Sequence, residues 1–210
     1  MNVSDLNSRR NSAYLVIAVG VVFIAVILFR QLASAPTQYE RKIAQLRDQT
    51  DFRFKHDPQS PIPASEREAF QGLRYFPADP GYAVPASLTP ETRPDTMRLM
   101  TTQGSDYLVV RAGVLNFELQ GRPYALAAYR YLETEGKSGL FVPFRDLTAG
   151  YSTYQGGRYL DVPEADPLML DFNQAYNPYC VYNDVYICPL PPPENRLPVE
   201  IFAGEQLPQQ

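Results

Sequence analysis

The residues able to do chemistry in this sequence are few, and most of them lie in its C-terminal third. There are two cysteines, Cys180 and Cys188, and one histidine, His56. The stretch from Cys180 to Cys188 reads as a hairpin with a three-residue loop centred on Asp184, which sets Tyr182 opposite Tyr186 and Cys180 opposite Cys188. A disulfide in that register contributes about 2–3 kcal/mol in the chain-entropy account and fits an oxidising compartment. Buried free thiols, or a metal-binding or catalytic pair, are the other readings. Two cysteines and one histidine cannot fill a structural tetrahedral zinc shell without carboxylates, so neither a metal nor a cofactor is expected. His56 lies just after a predicted helix, where a surface linker residue is the plain reading. A Ser-His-Asp or Cys-His site would need it folded back into a distant pocket.

A second polar segment runs from Pro143 to Asp161 and holds Arg145, Asp146, Tyr154 and Arg158. Two arginines can clamp an anion while Gly156-Gly157 lets the backbone approach it. The structural alternative follows from strand alternation. Arg158 shares a face with Leu160 and Val162, so it is buried and needs a carboxylate such as Asp146, Asp171 or Glu205. Gly156-Gly157 is a turn in either case and not a phosphate loop, since no helical period or lysine follows. Asp146, Asp161, Asp171, Asp184, Glu194 and Glu205 contain the makings of a glycosidase pair or a calcium site, but no calcium-loop pattern is present. Asn173, Tyr176, Asn177, Tyr179, Tyr182 and Asn183 form an Asn/Tyr-rich loop. It suits a binding surface or a loop held by its own side chain–backbone bonds. Pro189 to Pro193 is a polyproline stretch that either docks a partner or packs on the domain's own tyrosines.

These groups must be positioned by elements that the rest of the sequence predicts. Ala13 to Phe29 carries no charge and makes roughly 26 Å of helix, slightly short of a hydrocarbon core of about 30 Å. Arg30 can snorkel, and Leu32 to Ala35 extends the apolar length. Residues 13–32 are thus expected to be a single-pass anchor after a tail of residues 1–12. A cleaved export signal, with Ala33-Ser34-Ala35 at the cut, is the alternative, disfavoured by Pro36 just beyond it. Arg9 and Arg10 precede the span, while Arg30, Arg41, Lys42 and Arg47 follow it. An extracytoplasmic domain is the expected orientation, because long domains obey the charge rule poorly.

Residues 36–57 read as a helical stalk. Thr37 with Glu40 is a capping-box pattern, and Tyr39, Ile43 and Leu46 fall at helical spacing over Thr37 to Asp51. That stripe packs on the domain or lies on the membrane surface. Residues 58–207 then carry short apolar runs between turns. Val114–Leu119 alternates, Gln120-Gly121 turns the chain, and Tyr124–Tyr131 returns beside it. Gly139–Phe144, Gly157–Val162, Leu168–Phe172 and Pro198–Ala203 are further predicted strands. Twenty prolines and fifteen tyrosines favour strands and structured loops over long helices. The expected architecture is mainly β, a single antiparallel sandwich or barrel-like domain preceded by a transmembrane helix and a short amphipathic helix. A formal net charge of -4 argues against a nucleic-acid partner.

Four blocks carry a likeness to a known family: SPI with FQGLRYFPADPGYAV (Ser60 to Val84), GVLNFELQG (Gly113 to Gly121), LFVPFRDLTAGYSTYQGGRYLDV (Leu140 to Val162), and LDFNQAYNPYCVYNDVYICPLPPPENRLPVEIFAGE (Leu170 to Glu205). On these the chain resembles the family known as domain of unknown function 1684. The resemblance implies the same fold and no particular activity. The residues themselves point to a non-catalytic β domain at the cell envelope that binds a small ligand or an envelope partner. Its candidate contacts are Arg145, Asp146, Tyr154, Arg158, Asn173, Tyr176, Asn177 and Glu205. A carboxylate-dependent hydrolase or carbohydrate-active enzyme, and a purely structural envelope protein, are the alternatives. Convergence of Asp146, Arg158, Asn173 and Glu205 in an open pocket favours a ligand site, and a closed, paired network favours the structural role.

Overall fold

A computed structural model describes residues 36–132 and 138–208. The longest strand organises them. β3 (Asp106–Leu119) pairs along one edge with β4 (Arg122–Arg130) and along the other with both β2 (Thr96–Met100) and β1 (Ala83–Pro90). β5 (Leu140–Phe144), β6 (Arg158–Val162) and β7 (Met169–Asp171) complete an antiparallel sheet in the order β6-β5-β4-β3-β1-β7. The two ends of that order, β6 and β7, approach one another. The result is a nearly closed, barrel-like sheet accompanied, among the described residues, by one α-helix, α1 (Gln38–His56).

The expected β3–β4 hairpin forms where alternation predicts it. Leu115, Phe117 and Leu119 are buried on one face, and Leu119 pairs with Arg122 across a two-residue turn. Both turn residues have positive φ, Gln120 at 53° and Gly121 at 74°, the backbone that a tight hairpin needs. The pairing shifts register between Arg111 and Gly113, and a side chain at Gly113 would drive into the Thr89 carbonyl. Glycine lets β1 and β3 close there.

Two apolar clusters lie on opposite faces. Leu115, Leu126, Leu140, Phe144, Leu160, Phe172 and Ile201 fill the barrel interior, while Leu99, Val109, Tyr129, Phe141 and Tyr159 pack outside it. β5 serves both, and all five of its residues are buried. It carries Pro143, and it meets β4 in register only at Tyr129–Phe141. Beyond that pair the amide of Asn195 replaces the ladder. It accepts from Ala127 N at 2.7 Å and donates to Ala127 O at 2.9 Å and Pro143 O at 2.7 Å.

α1 runs to His56, past the expected end near Asp51, because its apolar stripe continues to Phe54. Tyr39–Gln210 form one compact unit, so the helix packs with the strands. Ile43 and Phe54 are buried, each contributing about 1.5–3 kcal/mol of transfer free energy. Arg47 stacks over the Tyr75 ring at 4.5 Å and donates to Phe76 O at 2.9 Å. Among the described residues no helix is long and apolar enough to cross a membrane, and the expected anchor at 13–32 lies outside those residues.

Three expectations need correction. Pro198–Ala203 keeps a strand-like burial rhythm but joins no ladder. β1 and β2 form where no strand is predicted. Cys180–Cys188 is no hairpin. Pro178 caps a 3-10 turn over Tyr179–Val181, and the Asn183 side chain accepts from Val185 N at 3.2 Å to close the next turn. The chain then leaves toward β2, with Leu190 N donating to Met100 O at 2.7 Å.

Candidate functional site

Arg158 opens β6 on the same inward face as Leu160 and Val162. Gly157, just before it, passes so close to the Phe144 carbonyl that no side chain fits there. The guanidinium therefore enters the barrel, 1% exposed, and meets Asp146 with an Nη2–Oδ1 distance of 3.3 Å. It also donates to the carbonyls of Ile201 at 3.0 Å, Glu205 at 3.2 Å and Ala203. Asp146 Oδ2 accepts from Thr148 Oγ1 at 2.7 Å and from Ile201 N at 2.8 Å. Burial pulls the Arg158 pKa down, and the Asp146 carboxylate opposes that shift. This explains why Pro198–Ala203 lacks a strand partner: a buried ion pair takes its backbone groups.

Glu205 continues the enclosed cluster. Its Oε2 accepts from Asn177 N at 2.8 Å and from the Tyr182 hydroxyl at 2.9 Å. Burial raises its pKa to about 7, against the pull of those two donors and of Arg158. The Asn177 side chain donates to Gln206 O at 2.8 Å. The predicted set thus divides. Asp146, Arg158, Asn177 and Glu205 gather in a closed interior. Asn173 is used elsewhere, its Nδ2 donating to Tyr39 Oη at 2.9 Å and Asp79 O at 2.8 Å. Tyr176 donates to Asp161 at 2.8 Å on the outer aromatic cluster. Arg145 turns its side chain to solvent while its backbone pairs with the segment around Arg196.

Tyr154 is placed differently. It lines an open groove of about 920 Å³ with Arg74, Tyr151, Cys180, Asp184 and Gln206. A second depression, of about 550 Å³, is lined by α1 residues alone, Asp48, Gln49, Phe52 and Arg53. Of the six carboxylates weighed for acid/base work, only Asp184 lines the groove. Asp146 is bound to Arg158, Asp161 to Tyr131 and Tyr176, Asp171 to Tyr39, and Glu194 to Arg111. A glycosidase needs two carboxyl groups facing one bond, and this arrangement does not supply them. Among the described residues no three His, Cys, Asp or Glu side chains come together. His56 ends α1, exposed, with its ring 4.5 Å from that of Phe52.

Both cysteines are free thiols. Cys180 N donates to Cys188 Sγ at 3.2 Å, which sets the two thiols side by side. Thr102 Oγ1 accepts from Cys188 N at 3.4 Å, and Tyr154 lines the groove wall with Cys180. Thr102 comes from the β2–β3 turn, held by Thr102 N donating to Cys188 O at 2.9 Å. Thr102, Arg74 and Tyr151 join this region without any motif in the sequence that marks them.

Among curated proteins nothing matches this chain. A solved structure does: the solution NMR structure of an uncharacterized protein from Haloarcula marismortui, 39% identical, covering 80% of this chain and 94% of its own, with a TM-score of 0.62. The model of one protein family matches residues 68–206, across the helix-to-strand loop, every strand and the C-terminal segment. The chain belongs to that family, described as Protein of unknown function (DUF1684).

Proposed function

We propose that this chain is a membrane-tethered binding protein of the cell envelope rather than a hydrolase. Its groove beside Tyr154 receives a small ligand or a segment of an envelope partner. The observation that supports this is the division of the polar residues. The charges inside the barrel are used on the protein's own backbone, whereas Arg74, Tyr151, Tyr154 and Asp184 face an open groove together. An arginine, an aspartate and two tyrosines lining one groove suit a polar ligand with a flat apolar part. The tether is residues 13–32, with the domain on the extracytoplasmic side.

The test is a thermal-shift screen of the full-length protein in detergent against sugars, nucleotides, lipid headgroups and short peptides. A stabilising compound whose effect is lost in Arg74→Ala and Tyr154→Ala, both still folded, supports the groove. A hit indifferent to both variants, or silence across the panel, removes it. Native protein found wholly in the soluble fraction with residues 1–35 intact removes the tether.

The enclosed Arg158–Asp146 pair favours a second reading, a structural envelope protein without a ligand. That reading gains if the screen is silent while loss of the protein alters envelope integrity.

A further inference from the structure

Cys180 stands at the wall of the groove and is half-buried, and Cys188 lies behind it, buried. Cys180 N donates to Cys188 Sγ at 3.2 Å, so the two thiols lie side by side, and Tyr154, from the turn before β6, shares the groove wall with Cys180. A structural buried cysteine is inert, whereas a reactive one is partly exposed and has its anion stabilised.

We propose that Cys180 and Cys188 form a reactive dithiol that exchanges with disulfides entering through the groove, Cys180 attacking and Cys188 resolving. It rests on the groove of the binding reading as the route of entry, and the reacting partner is a low-molecular-weight or peptide disulfide. The neighbouring Cys188 thiol above all, with Tyr154 and Thr102 adding to it against the effect of burial, brings the Cys180 pKa down to about 7, while the same contact raises that of Cys188. A thiol with a pKa near ambient pH combines a useful thiolate fraction with retained nucleophilicity.

In the first step the Cys180 thiolate bonds to one sulfur of the incoming disulfide as that S–S bond breaks. The other half leaves as a thiolate and takes a proton from water. Cys180 is then no longer an anion, so Cys188 loses the neighbour that held its proton in place. The backbone N–H groups of Tyr179 and Cys180 favour its thiolate. Cys188 gives its proton to water and attacks the Cys180 sulfur, expelling the second half of the substrate as a thiolate. The two protein thiols are oxidised to one disulfide, and the substrate disulfide is reduced to two thiols. Closing the bond requires the sulfurs to reach about 2.05 Å, and the Asn183–Ile187 loop between them, with Val185 exposed, has room to adjust.

Reduced full-length protein treated with glutathione disulfide, quenched with a maleimide and weighed intact, tests this. Wild type should pass through one glutathione adduct to an internal disulfide. Cys188→Ser should stop at the adduct, on Cys180, and Cys180→Ser should remain unmodified. Tyr154→Phe should slow the first step several-fold with the fold unchanged by circular dichroism. The proposal fails if Cys188→Ser reacts no faster than free cysteine, if wild type stalls as the adduct, or if Cys188 reacts as fast as Cys180. Iodoacetamide labelling of wild type gives the same ranking without any variant. Ligand-induced thermal shift retained in Cys180→Ser separates failure of the exchange from failure of the groove.

Discussion

The C-terminal third carries two polar clusters that differ in what their donors and acceptors face. Around Arg158 the partners are internal: four acceptors, three of them main-chain carbonyls, in a site with almost no exposure. Around Cys180 two thiols lie side by side, and one of them borders open space. The first arrangement makes side chains replace a missing β-ladder, and the second leaves a thiol beside open space. A charged residue in a strand therefore says less about function than what is left for it to bond once the chain has closed.

Substitutions should separate the two clusters by where their effects appear. The largest loss of stability is expected for Arg158→Met, about 3–5 kcal/mol in urea unfolding, since Asp146 stays buried without its cation. Replacing the pair together, Arg158→Met with Asp146→Leu, should not restore stability, because the carbonyls of Ile201, Ala203 and Glu205 still lack a donor. A restored double variant would mean that the ion pair alone matters.

Glu205 gives the next effect. Its folded pKa is raised to about 7 from an ordinary 4.5, so the folded state holds a proton that the unfolded state has released between those values. Its contribution is complete below about pH 4.5 and is lost as the pH rises through 7, on the order of 3 kcal/mol. Wild type should therefore melt higher near pH 5 than near pH 8, and Glu205→Gln should flatten that difference. Asn195→Ala comes third, at about 2–3 kcal/mol, because it strands the Ala127 and Pro143 backbone groups in the core. The smallest change is expected at Tyr154→Phe, within about 0.5 kcal/mol in the same unfolding assay. A Tyr154→Phe variant that unfolds as readily as Asn195→Ala would erase the contrast between the clusters.

The sequence was most informative where one local rule decided the outcome. Leu115, Phe117 and Leu119 alternate and are followed by a turn pair, so the β3–β4 hairpin was legible. Arg158 was legible as a buried arginine because it shares parity with Leu160 and Val162, and Asp146 was among its three possible partners. β1 was hidden by Pro85 and Pro90, which suppress a strand signal although each is tolerated where the strand pairs on one side only. β2 was hidden because Thr96–Met100 is short and its alternation rests on Met97 and Leu99 alone. Pro198–Ala203 misled in the opposite way. Alternation reports an extended chain with one buried face and cannot say whether a strand or an arginine takes up its hydrogen bonds. Of the groove only Tyr154 was legible as a candidate contact, since Arg74, Tyr151 and Tyr154 come together only through tertiary closure.

The reach of Arg158 also bears on the order in which the domain can be made. Its acceptors at Ile201, Ala203 and Glu205 follow it by 43, 45 and 47 residues. A chain leaving the ribosome thus exposes β6 with an unmatched cation until those residues emerge. The barrel can lock only after they arrive, so nascent chains cut short before Ile201 should be drawn to chaperones and proteases.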